Sequence, residues 1–501
     1  MMNADKPSQQ PYLSKSRFMS GLQCELRLWY EVFNRDLMED PDAVAQHRFD
    51  TGTEVGELAQ KRYPGGRLIG HDHLNFREAY RETKELVNDP NLPALFEPAF
   101  QHKRVRCRID ILQRLPEGGW RVIEVKSATK LKDEYINDIA LQCWVLKGAN
   151  IDVRDACVLT LNPDYIRGKR LNVQKLFQEH PALEQVGRSA QYINEEVAAM
   201  KHMLSKAGAP DIAMGAHCTE PYKCPFYEHC SSDLPKLDHP VTEFYRFYRL
   251  DAEELAHRGI EEIRDVPADY QLSEINEAIR KSVLKGKAQG RRRNELIDRI
   301  SGLRKPVRHL DFETLNPGIP VFEGTKPYQQ VPFMFSMHTE TRSGSLLHDD
   351  YLHEEYTDPR RFVAERLIES AGERGSICMY SSFERILIQN LANEFLDLEG
   401  DLQRILGRLV DIVPFVRDHY YHPEFRGSFS LKSVYPVLGR SDYSDLEIAE
   451  GSIASIVYLH ALNFDDSEER ERIFRNLKEY CKRDTLATHE ILTRLRRHVG
   501  L

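Results

Sequence analysis

No stretch of the 501 residues approaches the run of roughly 18 apolar residues that a membrane span requires. The polar opening MMNADKPSQQPYLSKSRF also lacks the apolar core of a secretory signal. A cytoplasmic protein with no membrane partner is therefore expected. Internal repeats and low-complexity tracts are absent as well. Cation excess is missing too: a formal net charge of −9 argues against coating of nucleic acid by the whole surface, because phosphate neutralisation needs clustered Lys and Arg. A local basic groove stays compatible, with cations gathered at Lys103, Arg104, Arg106 and Arg108 and at Lys281, Lys285, Lys287, Arg291, Arg292 and Arg293. Either run reads equally well as a solvated face. Nine cysteines in such a chain are better read as buried thiols or metal ligands than as a disulfide framework.

The length exceeds one hydrophobic core and predicts roughly two to four domains. In the first half RVRCRIDILQRL, GWRVIEVKSA, DEYINDIALQCWVL and DACVLTLNP read strand, strand, helix, strand, an α/β pattern. A charged, helix-biased segment follows and reads as a connector. A second α/β pattern runs from PVRHLDF through QQVPFMFSMHTE and SICMYS to a closing helical pair. The expected division is 1–236, 237–304 and 305–501.

Asp110 ends one predicted strand, and the next carries Glu124 and Lys126, which alternation puts on one face with Ile123 and Val125 on the other. Two carboxylates and a lysine are what phosphodiester hydrolysis needs: ligands for a hard divalent cation, and an ammonium to orient water or offset developing charge. This hairpin resembles that of the PD-(D/E)xK nucleases of the RecB type. The resemblance implies a restriction-endonuclease-like fold with Asp110, Glu124, Lys126 and the helix-borne Gln142 as catalytic residues, Asp110 and Glu124 holding metal. Two departures stand out: Leu146 replaces a common Tyr, and Gly56, followed by Glu57, replaces a metal-binding His.

Cys218, Cys224 and Cys230 form a C-x5-C-x5-C run bent by Pro221 and Pro225, which looks like a ligand loop. His217 or His229 would complete a zinc site with them, and Cys24 is the other fourth ligand. The segment around Cys24 resembles the N-terminal part of RecB-type nucleases that carry an iron-sulfur cluster, including CRISPR-adaptation nucleases. That resemblance implies Cys24, Cys218, Cys224 and Cys230 around a [4Fe-4S] cluster, with zinc as the alternative. Such a cluster would pin both ends of the domain. Cys107, Cys143, Cys157, Cys378 and Cys481 are expected to be ordinary buried thiols.

In the second α/β region Asp311 and Glu313 share a strand face, and Tyr480 and Asp484 share a helix face at i and i+4. Glu384 opens a helix between them, and Asp411 is a further acid. In this order the set resembles the DEDD exonucleases of the DnaQ type, tyrosine subgroup, except that Glu384 stands where Asp is usual. The resemblance implies an RNase H-like fold in which Asp311, Glu313, Glu384 and Asp484 hold two Mg2+ or Mn2+ ions. Tyr480 would orient the attacking water, and mononucleotides would leave from a 3′ end.

The combination resembles a bacterial family fusing an iron-sulfur RecB-type nuclease to a DnaQ-like domain. The expected function is a DNA nuclease acting on single strands or duplex ends in repair or defence against foreign DNA, with a helicase or other repair or defence proteins as partners. The alternatives are one active nuclease with the other domain gripping DNA, and an RNA-processing exonuclease.

Overall fold

The computed structural model describes residues 11–71, 74–232, 234–247, 249–464 and 466–501, so the first ten residues of the polar opening lie outside it. Contacts divide the chain into two units, Met1–Leu234 with Pro317–Gln329 and Pro235–Asn316 with Gln330–Leu501. Both are mixed α/β.

The first unit is built on a six-stranded sheet in chain order: β1 (Arg67–Leu68), β2 (Ala94–Phe96), β3 (Ile111–Arg114), β4 (Trp120–Lys126), β5 (Val153–Leu161) and β6 (Phe177–Pro181). Strands β3 and β4 form an antiparallel hairpin whose turn uses Gly118 and Gly119 at φ +86° and +79°, values that a side chain would oppose. Strands β4 and β5 are parallel and need a crossover. Helix α3 (Asp133–Gly148) supplies it, after α1 (Lys15–Gln23) and α2 (Glu25–Phe33) at the start of the unit. Along β4 the side chains alternate between two cores. Ile123 packs with Val55, Ala59, Ile111 and Leu159, and Val122 with Leu112, Ile139, Leu146 and Val158. Each such aliphatic side chain contributes roughly 1.5–3 kcal/mol on burial.

The sequence RVRCRIDILQRL, expected as one strand, is two. Val105–Arg108 belongs to a three-stranded sheet with Leu13–Ser14 and Ala99–His102, while β3 belongs to the large sheet. Its partner strand is broken at Pro98, which has no N–H for a ladder, and at Glu97, whose φ is +56°. Asp110 sits at this break, where its carbonyl accepts from the Glu97 N–H at 3.2 Å.

In the second unit the sheet runs β9 (Leu346–Leu352), β8 (Val331–Glu340), β7 (Val307–Leu315), β10 (Ile377–Met379), β11 (Leu409–Asp411). Strand β8 is antiparallel to both neighbours, and β7, β10 and β11 are parallel. Leu310 and Phe312 of β7 point into a core with Val363 and Leu367 of α4 (Arg360–Ala371) and Leu387 and Leu391 of α5 (Phe383–Glu394). The alternate residues of β7 face α8 (Ser467–Val499), which follows α6 (Leu431–Leu438) and α7 (Gly451–Leu462). Helix α8 has 33 residues, and the Asp466 side chain caps it by accepting from the N–H groups of Glu468 at 2.9 Å and Glu469 at 3.3 Å.

The segment 237–304 contributes the helices Arg249–His257, Glu274–Lys285 and Arg293–Ser301 and groups with the second unit, where Gln289–Gly290 pairs with Tyr420–Tyr421. Pro317–Gln329 instead groups with the first unit, since Gly324 donates to the Arg167 carbonyl at 2.7 Å and Arg167 to that of Thr325 at 3.0 Å. Among the described residues, no helix is long and apolar enough to cross a membrane.

Candidate functional site

Asp311 and Glu313 leave β7 on the face that α8 covers, and α8 brings Tyr480, Cys481 and Asp484 over them. Among the described residues, Asp311, Glu313 and Cys481 form the group of three possible ligands whose atoms lie within 4.8 Å of one another. The Cys481 thiol donates to Asp311 Oδ2 at 3.5 Å. Glu384 arrives from the first turn of α5, held by the Ser381 hydroxyl at 3.1 Å and hydrogen bonded to Asp311. Tyr443 and Tyr480 both donate to Asp484. Lys432, whose ammonium donates to the Ala449 carbonyl at 2.6 Å, lies 5.9 Å from the Tyr443 ring centre and 5.6 Å from that of Tyr480.

Glu313, Glu384 and Asp484 are buried, and among the described residues no Lys or Arg makes an ion pair with them or with Asp311. Lys432, acting on Glu313 and Asp484, and Arg483, acting on Asp484, reach them only from beyond ion-pair distance. Burial, then the neighbouring Asp484, pushes Asp311 and Glu313 well above the carboxylate range. Burial also raises Glu384 to about 7, and raises Asp484 to about 6 against the opposing pull of Tyr443 and Lys432. Four acids that cannot all ionise together form a potential metal-coordinating site, because a divalent cation reverses this penalty.

The first unit solves the same problem differently. Helix α3 packs on the face of β4 that bears Glu124 and Lys126, placing Asp138 and Gln142 against them. Lys126 donates to Glu124 at 2.6 Å and Asp138 at 2.6 Å, and Lys15, from the start of α1, lies 2.9 Å from Glu124 and 3.3 Å from Asp138. The Gln142 amide donates to both acids, leaving its buried Oε1 without a partner. Asp110 accepts from the Val125 N–H at 2.7 Å. Burial and Asp110 disfavour the charge on Glu124, yet the two ammonium groups hold its carboxyl below the ordinary range. Burial raises Asp110 and Asp138. Glu97, in its left-handed backbone conformation, pairs with Arg108 at 3.3 Å and feels the charges of Lys15 and Glu124.

Cys24 links α1 to α2 and lines one pocket with Cys218, Cys224 and Cys230, together with Arg27, Tyr30, His217 and Phe226. Gln23 ties the two chain segments, its amide donating to the carbonyls of His217 at 2.7 Å, Glu220 at 3.2 Å and Tyr222 at 2.9 Å.

The structure thus gathers Asp311, Glu313, Glu384, Tyr480 and Asp484 in one unit. It gathers Asp110, Glu124, Lys126 and Gln142 in the other, and Cys24, Cys218, Cys224 and Cys230 around one pocket. Glu57 is exposed on the helix Ala43–Gln60, and the acids at the hairpin are Asp138 and Glu97 instead. Asp411 accepts from the Val413 N–H at 2.9 Å, a capping role, and its charge reaches Glu384. Cys481 is a buried thiol, as expected, and α8 turns it onto Asp311. Sequence reasoning missed Lys15, Tyr443 and Lys432, which no motif marks, and Asp138, which helix spacing from Gln142 could have found.

A family described as "Domain of unknown function (DUF2779)" matches residues 308–430, which include Asp311, Glu313 and Glu384 but end before α8. A solved structure titled "Crystal structure of SSO0001" is similar at 14% identity over 46% of this chain and 90% of that chain, with a TM-score of 0.25. No curated protein matches.

Proposed function

We propose that the chain is a metal-dependent DNA nuclease of two modules, a RecB-type PD-(D/E)xK module in the first unit and a DnaQ-like, RNase H-like 3′-to-5′ exonuclease in the second. The observation that carries this reading is the set of four carboxylates, Asp311, Glu313, Glu384 and Asp484, brought together with no Lys or Arg ion pair among the described residues. The donor set fits Mg2+ or Mn2+, for which oxygen ligands are preferred. Such ions, when bound, supply Lewis acidity for phosphodiester hydrolysis. The chain's own groups do the rest. The carboxylates would hold the ions, and Tyr480 and Tyr443 orient Asp484. Tyr480 also lies near Glu313, both side chains coming within 3.8 Å of where a Cβ on Gly451 would stand, and would orient an attacking water there. A five-stranded sheet with β8 alone antiparallel and D-x-E on its central strand supports the RNase H-like reading.

In the first unit Asp110, Glu124 and Asp138 are the acids for metal, and Lys126 is placed to orient water. Cys24, Cys218, Cys224 and Cys230 are the donors for a cluster, for which a [4Fe-4S] group is favoured over zinc. All four thiols line one pocket. A cytoplasmic role on DNA ends in repair or defence, beside a helicase or similar partner, is consistent with this reading.

Asp110→Ala and Asp311→Ala, assayed with Mn2+ on single-stranded and end-labelled duplex DNA, test it. Each should remove a distinct set of products. Unchanged cleavage by Asp110→Ala would remove the two-nuclease claim.

A further inference from the structure

The run Lys103, Arg104, Arg106, Arg108 lies on a hairpin whose tip is unusual. Lys103 and Arg104 occupy the two central turn positions at φ +43° and +60°, where Asn-Gly is the favoured pair. Left-handed backbone at bulky residues is costly and concentrates at functional sites. Lys103 is exposed, whereas the two arginines of the hairpin's run nearest the tip are half-buried against aromatic rings. The Arg104 and Arg106 guanidinium carbons lie 4.3 Å and 3.4 Å from the Tyr12 ring centre, and that of Arg106 lies 4.6 Å from Phe76. Phe76 stacks with Tyr80 at 6.2 Å and an interplanar angle of 13°, and the Lys84 ammonium lies 4.6 Å from the Tyr80 ring centre. Cations and aromatics thus form a continuous chain over Arg104, Tyr12, Arg106, the stacked Phe76 and Tyr80, and Lys84. Lys201 adds positive charge, donating to the Lys103 carbonyl and feeling the repulsion of Lys103 and Arg104.

The same strand leads to chemistry. Val105 and Cys107 are buried, so Arg106 and Arg108 share the opposite, half-buried face of this strand, which ends two residues before Asp110. Arg106 is four residues from Asp110, a reach of at most about 14 Å along the chain.

We propose that this ladder is a binding track for single-stranded DNA that leads a strand to Asp110, Glu124 and Lys126. The charge complementarity is to phosphate, and aromatic groups beside cationic ones are what sequence-tolerant single-strand recognition uses. The rings hold the guanidinium groups in place, which lowers the entropy lost on binding. The inference rests on the nuclease reading of the first unit but is tested apart from it.

The experiment measures fluorescence anisotropy of a labelled oligothymidylate with the full chain in EDTA, where no cleavage occurs, across a salt series. Lys84→Ala/Lys103→Ala changes two exposed side chains, and its fold is checked by thermal unfolding. The expected result is at least tenfold weaker binding and a log K against log salt slope shallower by about 1.4, from about 0.7 per lost phosphate contact on a single strand. Arg106→Ala should weaken binding further. Unchanged affinity and slope overturn the track, as does an equal loss from Lys281→Ala/Lys285→Ala on the other basic run. Failure of the nuclease reading would appear separately, as an Asp110→Ala protein that cuts like the parent in Mn2+.

Discussion

Glu384→Gln removes one titrating carboxyl from the acid cluster while nearly keeping its volume. In the metal-free protein Glu384 holds its proton up to about 7 rather than 4.5, and the difference corresponds to roughly 3 kcal/mol. The folded state binds this proton more tightly than the unfolded state does. Stability is therefore lost as pH rises from about 4.5 to about 7, and the full penalty stands above that. At pH 5 parent and variant should differ by no more than about 1 kcal/mol. At pH 8 the metal-free variant should be the more stable, by roughly 3 kcal/mol, equivalent to roughly 6–12 °C for a unit of this size. Saturating Mn2+ should reverse that order, because the cation takes the place of the protons and needs the carboxylate. Scanning calorimetry of the full chain with and without Mn2+ reads all four conditions. Equal melting of the metal-free proteins at pH 8, or equal stabilisation of both by Mn2+, would refute the reasoning.

Tyr443→Phe removes a donor to Asp484, and hydrogen bonds to charged groups are worth roughly 1.5–3 kcal/mol, so the Mn2+ titration midpoint at pH 7 should move up by roughly ten- to a hundredfold. Gln23→Ala deletes three bonds to the cysteine loop, and the purified protein should carry less iron or zinc per chain, as read by metal analysis and absorbance. Lys15→Met leaves Glu124 and Asp138 with Lys126 as their remaining ammonium, and losing a hydrogen bond to a charged group costs roughly 1.5–3 kcal/mol. Thermal unfolding should show that loss in EDTA and a partial recovery in Mg2+.

Much of the site was legible wherever one element carries the whole relation. Strand alternation put Asp311 with Glu313 and Glu124 with Lys126, and helical spacing put Tyr480 with Asp484. Relations made by packing between distant segments were not. Lys15 reaches Glu124 from more than a hundred positions away, and Tyr443 meets Asp484 from a stretch without a motif. Cys481 read as core because its neighbours gave no sign that α8 would turn it onto Asp311. Asp110 looked like a strand end because the break in its ladder originates at Pro98, in the partner strand.

The central claim is that the buried acids of the second unit hydrolyse phosphodiesters with divalent metal. The Asp110→Ala protein, incubated with Mn2+ and a 5′-labelled single strand, tests it most directly. The account predicts a ladder shortening from the 3′ end with release of mononucleotides, abolished by EDTA and by adding Asp311→Ala. An intact strand, or shortening that survives Asp311→Ala, would contradict it.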